Sequence, residues 1–111
     1  MRENQTKAKM LRGKPAFGFE LSFGSPLVAE ALSRCGIDFI LIDNQHGSFG
    51  PESTLATLLG VEGGTATPIA RVARNDYTMI GRRLDEGMHG IVVPMVHTAE
   101  EARSAALRSS E

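Results

Sequence analysis

Four short apolar runs punctuate the chain, at residues 16–22, 37–42, 68–72 and 90–93, and each is followed by punctuation residues and then a helical stripe. After the first run, Ser25-Pro26 reads as an N-cap followed by a proline at the first helical position, where its missing N–H costs nothing. Leu27, Val28, Ala31, Leu32 and Cys35 then share one helical face, and Gly36 suits a left-handed stop. The second run is nearly all apolar, as in a strand covered on both faces of a parallel sheet. Its helix begins near Pro51 with Leu55, Leu58 and Leu59 as the stripe, and residues 60–64 read as a loop. After the third run, Asn75 or Asp76 can cap a helix with the stripe Met79, Ile80 and Leu84 and the stop Gly87. Pro94 closes the fourth run, and Thr98 with Glu101 forms a capping box ahead of Ala102, Ala105 and Ala106.

Strands alternating with helices across short loops predict right-handed βαβ units on a parallel sheet, an α/β fold. The units recur at the spacing of a (β/α)8 barrel, which needs roughly 250 residues. The expectation is therefore a leading helical segment at residues 1–15 and, at residues 16–111, the first half of a TIM barrel, a partial and truncated domain. A small doubly wound domain is the alternative, but Ser22-Phe23-Gly24-Ser25-Pro26 is not the GxGxxG turn such domains carry after the first strand. Half a barrel has two open edges and is expected to uncover Phe39, Leu41, Ile91 and Val93 on its inner face. Such a chain is expected to self-associate or to pack loosely.

Composition narrows the function. With 12 Lys and Arg against 13 Asp and Glu, the net charge of −1 leaves no electrostatic footprint for nucleic acid or an acidic membrane. The lone Cys35 excludes an internal disulfide and an all-cysteine zinc site, points to a reducing compartment, and reads as a small buried hydrophobe. No apolar run reaches the roughly 18–20 residues of a membrane span, and the N-terminus lacks the apolar core of a secretory signal. Arg2, Lys7, Lys9, Arg12 and Lys14 read as a solvated basic helix; Glu3 and the absence of serine there argue against a transit peptide. A soluble, cytoplasmic protein is expected.

In parallel α/β folds the working residues sit on the loops after the strands. His46, three residues past Asp43, is the sharpest candidate: an imidazole there can act as a general base, oriented by a neighbouring carboxylate. Its plain alternative is a turn histidine bonded to backbone. Arg71 interrupts a buried strand, so it either pairs with an acid or presents its planar fork to an anionic ligand. His89 and His97 read as surface or packing residues, and the five methionines carry no metal-binding spacing.

Three stretches, Ile40-Leu41-Ile42-Asp43-Asn44-Gln45-His46-Gly47, Pro68-Ile69-Ala70-Arg71-Val72 with Asn75-Asp76, and residues 84–102, occur together in order and spacing. In this the chain resembles the HpcH/HpaI aldolase and citrate lyase family, on its branch of metal-dependent (class II) pyruvate aldolases such as 4-hydroxy-2-oxoheptanedioate aldolase. The resemblance runs from about Gly13 to Ala106. It implies a carbon–carbon lyase that joins pyruvate to an aldehyde, or cleaves the 2-oxo-4-hydroxy acid, through an enolate stabilised by Mg²⁺, Mn²⁺ or Co²⁺. It implies His46 as the acid/base group, Arg71 on the keto or enolate oxygen, and Asp43 on the substrate side beside the metal water. Asp85 matches an acid that raises the basicity of the histidine. It closes a helix on the opposite rim, from which it reaches His46 only across a subunit contact. Gln45 stands where many relatives have Glu, and Ala73 where many have Pro. The metal-binding carboxylates belong to the second half of the barrel, so this chain is expected to hold no metal ligand and to be inactive as an aldolase by itself. Residues 107–111 leave the pattern, as a truncated gene, a frameshift or an incomplete reading frame would produce. The resemblance also implies a homo-oligomer. A non-catalytic half-barrel module and a small anion-binding α/β domain remain the rival readings.

Overall fold

The turn chemistry sets the element boundaries in the computed structural model, which describes residues 2–109. The elements are α1 (Gln5–Leu11), β1 (Gly18–Leu21), α2 (Pro26–Ser33), β2 (Phe39–Asp43), α3 (Pro51–Glu62), β3 (Thr67–Arg71), α4 (Tyr77–Glu86), β4 (Gly90–Val92) and α5 (Ala99–Ser109). Ser25 and Asp76 cap α2 and α4 by accepting the N–H of Val28 and Met79, and Gly87 ends α4 in the left-handed region at φ +114°. Thr98 accepts the Glu101 N–H as expected, while the Glu101 carboxylate reaches the N–H of His97 rather than that of Thr98.

All strand pairs are parallel, and the spatial order is β1-β2-β3-β4. A doubly wound sheet reverses its order at a switch point; this one does not. The order and the alternation with helices are those of half a (β/α)8 barrel. The register aligns Glu20 with Leu41, Asp43 with Arg71, and Arg71 with Val92. Residues 18 and 20, 39, 41 and 43, 69 and 71, and 90 and 92 therefore share the inner face.

The helix side holds the core. Leu21, Ala29, Ile40, Val61 and Ala66 form one buried cluster; Ile42, Leu58, Ala70 and Met88 form the next, with Ile91 packed against it. Ile91 thus faces the helices, and Val92 is the exposed inner residue of β4, because β4 enters register with Gly90 opposite Ile69. This corrects the expected inner pair Ile91 and Val93. Phe39 and Leu41 do lie on the inner face, half-buried.

Two helical stripes also differ from expectation. Residues 60–62 continue α3 rather than forming a loop. A Cβ on Gly60 would fall against the backbone carbonyl of Pro26, and one on Gly64 against that of Ser33. These glycines let α3 close directly onto α2, so α2 turns its small residues Ala29 and Ser33 inward and leaves Leu27 exposed. On α3 the buried residues are Thr54, Thr57, Leu58, Gly60 and Val61, while Leu55 and Leu59 face outward. Cys35 is exposed, not buried: α2 stops at Ser33, and the cysteine lies beyond it in the turn before Gly36.

The basic leader is not merely a solvated helix. Thr6 is buried and its hydroxyl lies 2.7 Å from the Asp38 carbonyl and 2.8 Å from the Thr67 hydroxyl. Lys9 pairs with Asp38 at 3.0 Å, and the Asn4 amide donates to the His89 carbonyl. α1 is thereby bonded to the N-terminal ends of the strands, opposite the rim where the site lies.

Candidate active site

The loop after β2 is built around one carboxylate. Asp43 ends the strand almost fully buried, and its Oδ1 accepts the backbone N–H groups of Gln45 at 2.9 Å and His46 at 3.1 Å. An Asx turn of this kind folds the chain back at once. Gly47 completes the reversal, since a Cβ there would collide with the Asp43 carbonyl oxygen. The Ser48 N–H then donates to Ser22 at the end of β1 over 2.7 Å. The loop is fixed at both ends, and it holds His46 exposed at the C-terminal rim.

Register brings Arg71 beside Asp43. The guanidinium grips the carboxylate as a fork, Nε to Oδ1 at 3.1 Å and Nη2 to Oδ2 at 2.6 Å, and Nη2 also donates to Glu20 Oε2 at 3.0 Å. The Arg71 bond, followed by those from His46 and Gln45, holds the Asp43 carboxyl far below the ordinary carboxylate range despite its burial. Asp43 in turn raises the pKa of Arg71, with Glu20 adding to it. Of the five guanidinium donors three are engaged; among the described residues neither Nη1 hydrogen is taken.

Six of the residues singled out in the sequence have definite places. Asp43, Arg71 and the His46 loop come together at the C-terminal rim. Asp43 bonds the backbone of His46, not its ring, so it fixes the loop rather than the imidazole. Arg71 has the structural acid partner that one reading of it required, and its Nη1 donates no hydrogen bond among the described residues. Asp85 is not brought to His46. It lies exposed near the C-terminal end of α4, lining a cleft with Tyr77, Gly81 and Arg108. Beyond that end the chain rejoins the sheet at its opposite rim, where the His89 N–H donates to Pro68 near the start of β3. Burial, and then the charge of Arg2, lowers the pKa of His89 there, and His97 stands exposed before α5.

Glu20 is the residue that sequence reasoning missed. The signal was present: an acid within a strand between apolar neighbours needs a partner, the same argument that singled out Arg71. Behind the rim, on the helix side of the sheet, a cavity of about 240 Å³ is lined by Asn44, Phe49, Thr54, Val72, Met79 and Arg82; neither Asp43, Arg71 nor His46 contributes to it.

A divalent cation does not fit the residues present. Among the described residues no three His, Cys, Asp or Glu side chains converge on one position, and both oxygens of Asp43 are occupied by Arg71 and backbone N–H groups. Among them, too, no helix is long and apolar enough to cross a membrane.

Comparison with known proteins identifies the family of the fold. A hydroxypyruvate/pyruvate aldolase of Paraburkholderia phytofirmans is 37% identical over 102 residues, which are 92% of this chain and 38% of that protein. A 4-hydroxy-2-oxo-heptane-1,7-dioate aldolase of Escherichia coli is 36% identical over 103 residues, 93% of this chain and 39% of its own length. The crystal structure of a family member from Burkholderia cenocepacia superposes with a TM-score of 0.87 at 28% identity, over 96% of this chain and 42% of the other. The chain thus spans about 40% of the length of these relatives. The family profile for HpcH/HpaI aldolase/citrate lyase matches residues 18–110, and the chain belongs to that family.

Proposed function

We propose that this chain contributes the acid/base and enolate-holding side of a carbon–carbon lyase of the aldehyde-lyase class. The reaction joins pyruvate to an aldehyde, or cleaves the resulting 2-oxo-4-hydroxy acid. The observation that supports this is the pair of Nη1 donors on Arg71, at the rim that also carries His46 on a fixed loop. Donors already in place where negative charge develops stabilise an enolate without reorganisation. His46 removes the methyl proton of pyruvate and returns a proton to the aldehyde oxygen as the new bond forms. Asp43 holds Arg71 and the His46 loop in one frame. Asp85 enters only as a group contributed by a neighbouring subunit. The family resemblance implies a divalent metal, whose ligands are not among the described residues.

Pyruvate titrated into the ¹⁵N-labelled chain should shift the Arg71 Nε–H signal, and Arg71→Ala should weaken binding at least about tenfold, as expected for loss of a charge-assisted contact. Equal affinity in the variant contradicts the proposal. We also propose a homo-oligomer, because β1 and β4 have open edges and Phe19, Phe23, Leu27 and Leu59 are exposed. Light scattering coupled to size exclusion should give a mass above 11.9 kDa, and a monodisperse monomer contradicts that part.

A further inference from the structure

The geometry points to Glu20 as a positioning residue that orients Arg71 and, by its charge, selects a neutral hydroxylated aldehyde over one bearing a carboxylate. This deepens the lyase reading and rests on it. Asp43 alone neutralises Arg71 with a buried fork, so a second carboxylate is not needed for charge balance. Glu20 nevertheless occupies the second hydrogen of Nη2, from the neighbouring inner-face strand. With Nε and Nη2 both fixed, rotation of the guanidinium would break bonds on two strands, and the Nη1 pair is left as the ligand-facing edge.

The second consequence is electrostatic. Asp43, Glu20 and Arg71 together carry a formal charge of −1. The excess resides on Glu20, whose side chain is 44% exposed and whose Oε1 accepts no bond among the described residues. A hydroxyl on an incoming aldehyde can donate to that oxygen. A carboxylate at the same place meets like charge, a penalty of roughly three- to tenfold in affinity at a water-accessible site several ångströms away.

Two probes of nearly equal size separate these cases: glycolaldehyde, which carries a hydroxyl, and glyoxylate, which carries a carboxylate. Each is titrated into the ¹⁵N-labelled chain already saturated with pyruvate, which takes the Nη1 edge, and followed at Arg71, with Glu20→Gln removing the charge and Glu20→Ala removing charge and acceptor. The parent chain should prefer glycolaldehyde, and Glu20→Gln should move the affinity ratio toward glyoxylate by roughly three- to tenfold. In Glu20→Ala the Nη2 hydrogens of Arg71 should exchange and rotate faster, while Nε–H, still on Asp43, changes little. An unchanged ratio overturns the selectivity, and unchanged exchange in the alanine variant overturns the positioning. If neither pyruvate nor either aldehyde shifts Arg71 in the parent chain, the lyase reading fails and the selectivity with it. Exchange at Arg71 still decides whether Glu20 anchors the guanidinium.

Discussion

Asp43→Asn should destabilise the chain by about 2–3 kcal/mol in urea unfolding. The substitution keeps the shape and removes the charge. The amide oxygen can retain the contacts of Oδ1 with Gln45, His46 and Arg71 Nε, but its NH2 then faces Nη2 of Arg71, donor against donor. Breaking a wholly buried pair costs about 3–5 kcal/mol. The lower figure applies here because the Arg71 side chain is 27% exposed and regains water. The pH dependence has a definite sign. The folded-state pKa of Asp43 is depressed, so its contribution is fully present above the unfolded value of about 3.9 and is lost as pH falls toward the folded one. Stability of the parent chain should therefore decline below about pH 4, and Asp43→Asn should flatten that decline. A residual slope is expected from Asp38, whose pKa is lowered by the Phe17 N–H and by Lys9. A variant that keeps the full acid slope would place the titration elsewhere.

Gly60→Ala should destabilise by about 2 kcal/mol, although alanine is the better helix former by about 1 kcal/mol. Gly60 lies within α3 and is fully buried against α2. The added methyl would overlap the backbone carbonyl of Pro26, which no rotamer change can move aside. The helices must separate, and with them the packing of Ala29 and Val61 on Leu21 and Ile40. Gly81, where a Cβ would meet open space within α4, is the control: alanine there should be neutral or stabilising. Matched thermal scans of the two variants decide the point. A stabilised Gly60→Ala would show that α2 and α3 are not in direct backbone contact.

The strands, their parallel sense and their caps were legible because they follow from local signals: runs of β-branched residues, Ser25-Pro26 and the Asp76 cap. The barrel order was legible because four βα units recur without a phosphate-binding turn. What misled was the reading of stripes from hydrophobicity alone. Leu27, Leu55 and Leu59 look like core on a helical wheel, yet the tight α2–α3 contact puts glycine, alanine, serine and threonine inside. Cross-strand register was equally invisible. It decides that Ile91 faces the helices, and it brings Glu20 within reach of Arg71 from 51 residues away. In the site, the Asp-Asn-Gln-His-Gly turn announced itself through residue types that fold a chain back on itself. The division of Asp43 between Arg71 and backbone N–H groups depends on the register of β2 against β3, which no local signal carries.

The most direct test of the central claim, that this chain is the first half of a (β/α)8 barrel, is to read its coding DNA through and beyond codon 111 in all three frames. The prediction is a continuation encoding four more βα units, with a Glu and an Asp at strand ends to hold the metal. A genuine stop with no such continuation in any frame would contradict it, leaving a half barrel whose Arg71 and His46 have no opposite wall to work against.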